Sequence, residues 1–126
     1  MTTALKLGFA GLAACLAHGC AGEPTAGLAL PDLAAHQWKH RVLIIDTPSM
    51  QAAPYRQQIS AFDAAAAGLK ERHLEVITQT SAPAFRVRLV GKDGGVKLDR
   101  STPMTTDALF AVIDAMPMRQ DELSNR

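Results

Sequence analysis

Apolar and polar positions follow two different periods along this chain, and the order in which the periods alternate predicts its architecture. In "RVLIID", Val42, Leu43, Ile44 and Ile45 form an unbroken apolar block with a β-branched bias, the pattern of a strand buried on both faces. It predicts a strand over 41–47, stopped by Pro48, which brings no N–H to a ladder. From Pro54, suited to the first helical position, Tyr55, Ile59, Phe62, Ala66 and Leu69 follow at spacings of four, three, four and three. Those intervals put them on one face of a helix of about five turns. Arg56, Gln57, Asp63, Lys70 and Glu71 turn elsewhere, and the alanine run 64–67 adds propensity and permits close approach to a sheet.

The period then returns to two. "HLEVITQT" alternates Leu74, Val76 and Thr78 against Glu75, Ile77 and Gln79, a second strand; strand, helix, strand in this order implies a right-handed crossover and a parallel pair. "FRVRLVGKDGGVKLDR" reads as a hairpin, with Phe85, Val87 and Leu89 inward, Arg86 and Arg88 outward, a turn at Lys92-Asp93-Gly94-Gly95, and Val96 and Leu98 returning. A last helix opens at Thr105 or Thr106, either a sound N-cap, with Asp107 in the first turn. Leu109, Val112, Ile113 and Met116 are its apolar stripe, and Pro117 is expected to end it, leaving a polar tail. The result is an α/β chain, β-α-β then β-β-α, with a four-stranded mixed sheet and helices packed on it.

The N-terminus departs from both periods. Lys6 is followed by a Leu/Ala/Gly-rich stretch without charge up to Glu23, the layout of an export signal and too short for a convincing membrane span. Two cleavage readings stand side by side: "LAAC", Leu12 to Cys15, has the form of a lipobox with lipidation at Cys15, whereas Gly19-Cys20-Ala21 suits a general signal peptidase cutting before Gly22. Residues 1–21 are thus expected to be a leader, 22–35 a tether and 36–123 the folded domain, placed in the periplasm or on the outer membrane as a lipoprotein. Cys15 and Cys20 are the only cysteines, so the rest of the chain holds no thiol, disulfide or thiolate ligand. Formal net charge is +1, supplied by Lys6, which leaves no electrostatic case for nucleic acid or an anionic membrane surface.

The order β-α-β, β-β-α is the minimal thioredoxin motif, its linking helix reduced to the loop 80–84. Three stretches, "WKHRVLIIDTP", "LVGKDGGVKL" and "IDAMPMRQDE", add a resemblance over about residues 30–123 to bacterial members of DUF4174. That family of unknown function is thioredoxin-like, often exported, and related to a domain of vertebrate secreted matrix and sushi-repeat proteins. The resemblance implies a fold and a location but no activity.

In thioredoxins and peroxiredoxins the strand-to-helix junction presents a cysteine whose pKa is lowered by the helix N-terminus. Here the junction is "TPSMQAAPY", and the position three beyond Thr47 is Met50, which cannot attack as a thiolate does. Ser49 would need a base and an orienting group, but His40 lies at the far end of the strand and His73 at the end of the long helix, so Ser49 reads as a turn residue. Met104, Met116 and Met118 with a histidine have the softness for Cu(I), although Met116 fits the helix stripe and methionine is a common core filler. Asp93 is explained by turn chemistry without calcium, and Trp38 reads as an edge-packing residue.

"DAMPMRQDE" has two readings. It is a lock at the helix C-terminus, with Met118 tucked under and Arg119 paired with Asp114 or Asp121, or it is a rim for a partner. The functional expectation is a non-catalytic binding module of the cell envelope without cofactor or metal. Its candidate interaction surface is Pro48, Ser49, Met50, Pro117, Met118 and Arg119, its partner an envelope or extracellular protein, and its membrane contact confined to a lipid anchor. The alternatives are a thiol-redox accessory protein using Cys20 on a retained tether, and a copper-binding protein.

Overall fold

The structure, a computed structural model, describes residues 28–126; the leader, lipidation at Cys15 and the role of Cys20 lie outside the described residues. In chain order the elements are β1 (Arg41–Asp46), α1 (Ala53–Ala64), α2 (Ala66–Glu71), β2 (Leu74–Gln79), β3 (Arg86–Val90), β4 (Val96–Arg100), α3 (Thr106–Asp114) and α4 (Pro117–Ser124). They build one four-stranded sheet in the order β2-β1-β3-β4. β1 runs parallel to β2 and antiparallel to β3, which pairs antiparallel with β4. The sheet is mixed, as the alternation of periods predicts.

The unbroken apolar block of β1 follows from its place between two covered faces. On one face Leu43 and Ile45 meet Val87, Leu89, Phe62, Leu109 and Ile113 in the main core. On the other, Val42, Ile44 and Val90 form a smaller cluster with Leu33 and Ile77. Residues 28–35, expected as tether, therefore lie against this second face, and the Leu28 N–H donates to Asp46 Oδ2 at 2.8 Å. The same covering overturns the outward placement of Arg88. It is buried and donates to Asp46 Oδ2 at 2.8 Å and to the Leu28 carbonyl at 2.7 Å.

The long helix is broken in two. Ala65 leaves helical geometry at φ −116°, ψ 24°, and α2 resumes with Gly68 so close to the Phe110 ring of α3 that an added Cβ would sit 2.7 Å from it. Thr105 caps α3, accepting from the Ala108 N–H at 3.1 Å. Pro117 does not open a polar tail. It stands in the first turn of α4, with extended Met116 as N-cap, since a proline that cannot continue one helix is well suited to begin the next.

Candidate functional site: a closed junction and an open cleft

At the C-terminal end of β1 the chain turns from Asp46 into α1, and its polar groups close on one another. Thr47 is buried, donating from Oγ1 to the Ser49 carbonyl at 2.8 Å and accepting from the Ser49 N–H at 3.3 Å. The Ser49 hydroxyl donates to Gln51 Oε1 at 3.1 Å and accepts from the Gln51 N–H at 3.0 Å. Pro48 and Met50 are exposed beside them. His40 and His73 sit at the other end of the strand, where Arg41 N donates to the His73 carbonyl, roughly 17 Å away for a strand of this length. Among the described residues the junction has neither an activated nucleophile nor a base within reach.

The opposite end of the sheet is held by charge. α4 swings Glu122 under β1 and β3, where it accepts from Lys92 Nζ at 2.6 Å and from Arg41 at 3.1 and 3.3 Å. Lys92 Nζ also lies 2.8 Å from His73 Nδ1. Burial alone pushes the Glu122 carboxyl up, but hydrogen bonds and charge from Lys92 and Arg41 outweigh it and hold the pKa at about 2. Burial, then the Lys92 charge, pull His73 below the ordinary histidine value. A second node joins it: Arg119, only 2% exposed, donates to Asp114 at 3.2 Å and to the Glu71 carbonyl at 3.3 Å. Asp114 also takes a two-pronged bond from Arg72 at 3.0 and 2.9 Å, and the Arg72 guanidinium lies 3.8 Å from the centre of the Phe110 ring. Hydrogen bonds from Arg72, then from Arg119, keep the Asp114 carboxyl low against its partial burial.

Between this network and the hairpin turn opens a cleft of about 320 Å³, with Met116, Pro117 and Met118 on one wall and Gly91, Lys92 and Lys97 on the other. Trp38 stands by the same turn, its backbone N–H donating to the Lys92 carbonyl at 2.7 Å. It is 62% exposed and held at φ 68°, a backbone region that side chains other than glycine rarely adopt. An edge-packing role for Trp38 is thereby corrected. Met118 is 37% exposed at the cleft.

A family model described as "Domain of unknown function (DUF4174)" matches residues 32–84 and 78–122. The chain belongs to the DUF4174 family. Among solved structures, the DUF4174 domain is similar to a reduced 2-Cys peroxiredoxin of Plasmodium vivax, at 14% identity and TM-score 0.59, covering 71% of this chain and 84% of that one. It is also similar to thioredoxin peroxidase I of Plasmodium yoelii, at 15% identity and TM-score 0.59, covering 71% and 79%. At such identity the likeness is one of fold, and the fold is thioredoxin-like.

The six surface residues singled out in the sequence of this DUF4174 domain do not come together. Pro48, Ser49 and Met50 lie at one end of β1, and Pro117 and Met118 at the other. Arg119 is not on a rim at all, because its side chain is buried where α4 meets the ends of α2 and α3, paired with Asp114, the first of its two expected partners, and with Glu122. Of the methionines, Met104 is buried in the main core, Met116 packs against that core and lines the cleft, and Met118 is exposed at the cleft. Among the described residues no group of three or more His, Cys, Asp or Glu side chains is arranged to hold a metal ion. Asp93 accepts from the Gly95 N–H and from Lys97, both at 2.9 Å, as a turn residue does. Sequence reasoning missed Lys92, Arg41 and Glu122. The available signal was the Pro117 helix start followed by Glu122 in its second turn.

Proposed function

We propose that this DUF4174 domain is an exported, non-catalytic binding module of a bacterial cell envelope, and that its contact face is the cleft between the hairpin turn and α4. What supports the reading is the contrast between the two ends of the sheet. At the junction where thioredoxin-like enzymes present their nucleophile, Thr47 and Ser49 spend their hydroxyls on neighbouring groups. At the other end Met118 lines an apolar recess edged by Lys92 and Lys97, and exposed Trp38 is tied by its backbone to Lys92. Tryptophan is among the residues that dominate binding hot spots, and this one is exposed on the element that borders the cleft. The chain between residues 28 and 126 contains no cysteine, so thiol chemistry in the domain would need one from elsewhere.

Photo-crosslinking in the producing cell tests the face. A crosslinking residue at Trp38 or Met118 is expected to give one discrete adduct that is lost on Lys97→Glu, while the same residue at Arg100 or Met50 gives none. Equal adducts from Met50 and none from Trp38 would move the face to the junction and overturn the assignment.

A further inference from the structure

We infer that β2 is an interface strand through which two copies of this chain join their sheets. The inference is independent of the cleft. Arg41 N donates to the His73 carbonyl and Thr47 N to the Gln79 carbonyl, so the parallel ladder turns the backbone of Glu75, Ile77 and Gln79 toward β1 and that of Leu74, Val76 and Thr78 outward. Among the described residues nothing hydrogen-bonds those outward groups.

The two edges of the sheet are treated differently. β4 carries Lys97, Asp99 and Arg100 and is paired to β3 with a register shift, devices that blunt an edge. β2 reads LEVITQ, regular throughout, without proline or lysine. Its one charge, Glu75, already lies 3.7 Å from His40 Nε2. An edge left this plain is a template for another strand.

The occupant is chosen by symmetry and charge. Leu74, Val76 and Thr78 are centred on Val76, so a two-fold axis there lets Val76 exchange both bonds with its copy and Leu74 exchange both with Thr78 of the copy on either side. Alongside runs a groove of about 710 Å³ between β2 and the α1–α2 helices, floored by Ile59, Phe62, Leu69 and Val76 and edged by Asp63 and Lys70. Asp63 and Lys70 are both exposed and make no ion pair among the described residues. They stand along the same groove, and the two-fold reverses the helices, bringing Asp63 of each copy opposite Lys70 of the other. A second copy therefore satisfies the strand edge, fills the groove and neutralises both charges.

Sedimentation velocity on the processed protein from the producing cell, over a concentration series, tests this together with amide exchange. The expected result is a monomer–dimer equilibrium in which the Leu74, Val76 and Thr78 amides gain protection as dimer forms. Val76→Pro removes an outward N–H without touching the β1 ladder and is expected to leave monomer only. Lys70→Glu is expected to weaken dimerisation on the order of tenfold, and Asp63→Lys with Lys70→Glu to restore it; both sites are exposed, so this pair reads the interface even if Val76→Pro fails to fold. A monomer at every concentration, a dimer indifferent to the Lys70 and Asp63 exchanges, or a β2 edge that crosslinks to a different protein instead of its copy would each overturn the proposal.

Discussion

Replacing Glu122 by glutamine keeps its volume and removes the charge that ties α4 to the base of the sheet. Burial raises the Glu122 carboxyl, and the hydrogen bonds from Lys92 and Arg41 then carry it down from 4.5 to about 2. A pKa lowered by folding stabilises the folded state above the unfolded value, and that contribution is lost as pH falls through the folded value. The difference corresponds to about 3 kcal/mol, fully present above pH 4.5, shrinking between pH 4.5 and 2 and gone below. At pH 7 the Gln variant should unfold with about 3 kcal/mol less stability, a fall in urea midpoint of roughly 2–3 M at the slope typical of a domain this size. Arg41, 1% exposed, and Lys92 lose their main anionic partner, which sets that cost rather than any lost contact area. Urea titrations of both proteins from pH 7 to pH 2 should give curves that converge at the acid end. A gap below about 1 kcal/mol at pH 7, or one that does not change with pH, would refute the clasp.

Further perturbations probe the two cores. Gln58 is buried, donating to the Met104 carbonyl and accepting from the Met104 N–H, both at 2.8 Å; Gln58→Leu orphans two buried backbone groups and should cost about 2–4 kcal/mol in chemical unfolding. Arg88→Met leaves Asp46 buried and short of its cation and should cost about 3–5 kcal/mol, whereas adding Asp46→Asn should recover a large part of it in a double-mutant cycle.

Much of the fold could be read from periodicity, because β1, the hairpin and the apolar stripe of α3 bury aliphatic side chains that announce their period. The elements that escaped bury charge. α4 has no apolar stripe, since its inward residue is Arg119 and its anchor is Glu122, so a pattern based on hydrophobicity reads it as solvated tail. Arg88 obeys strand alternation, and the alternation places it on the correct face. What covers that face is a Pro- and Ala-containing segment, residues 28–40, whose packing rests on Leu33 and on backbone bonds to Asp46 and Arg88. The cleft was half visible: Pro117 and Met118 were marked, but its other wall is 20 or more residues away in sequence, and Lys92 looked like an ordinary turn cation. Trp38 is 62% exposed and stands on a left-handed backbone that no local pattern signals.

The account rests on the claim that a thioredoxin-like fold is used here without thioredoxin-like chemistry. The most direct measurement is turnover of hydrogen peroxide and of insulin disulfides by the processed protein purified from the producing cell, with excess dithiol and an active thioredoxin-fold enzyme alongside. The account predicts rates equal to those of the dithiol alone at every protein concentration. Saturable turnover that rises in proportion to the protein would contradict it, and survival of that turnover in a Cys20→Ser, Cys15→Ser variant would place the activity inside the domain itself.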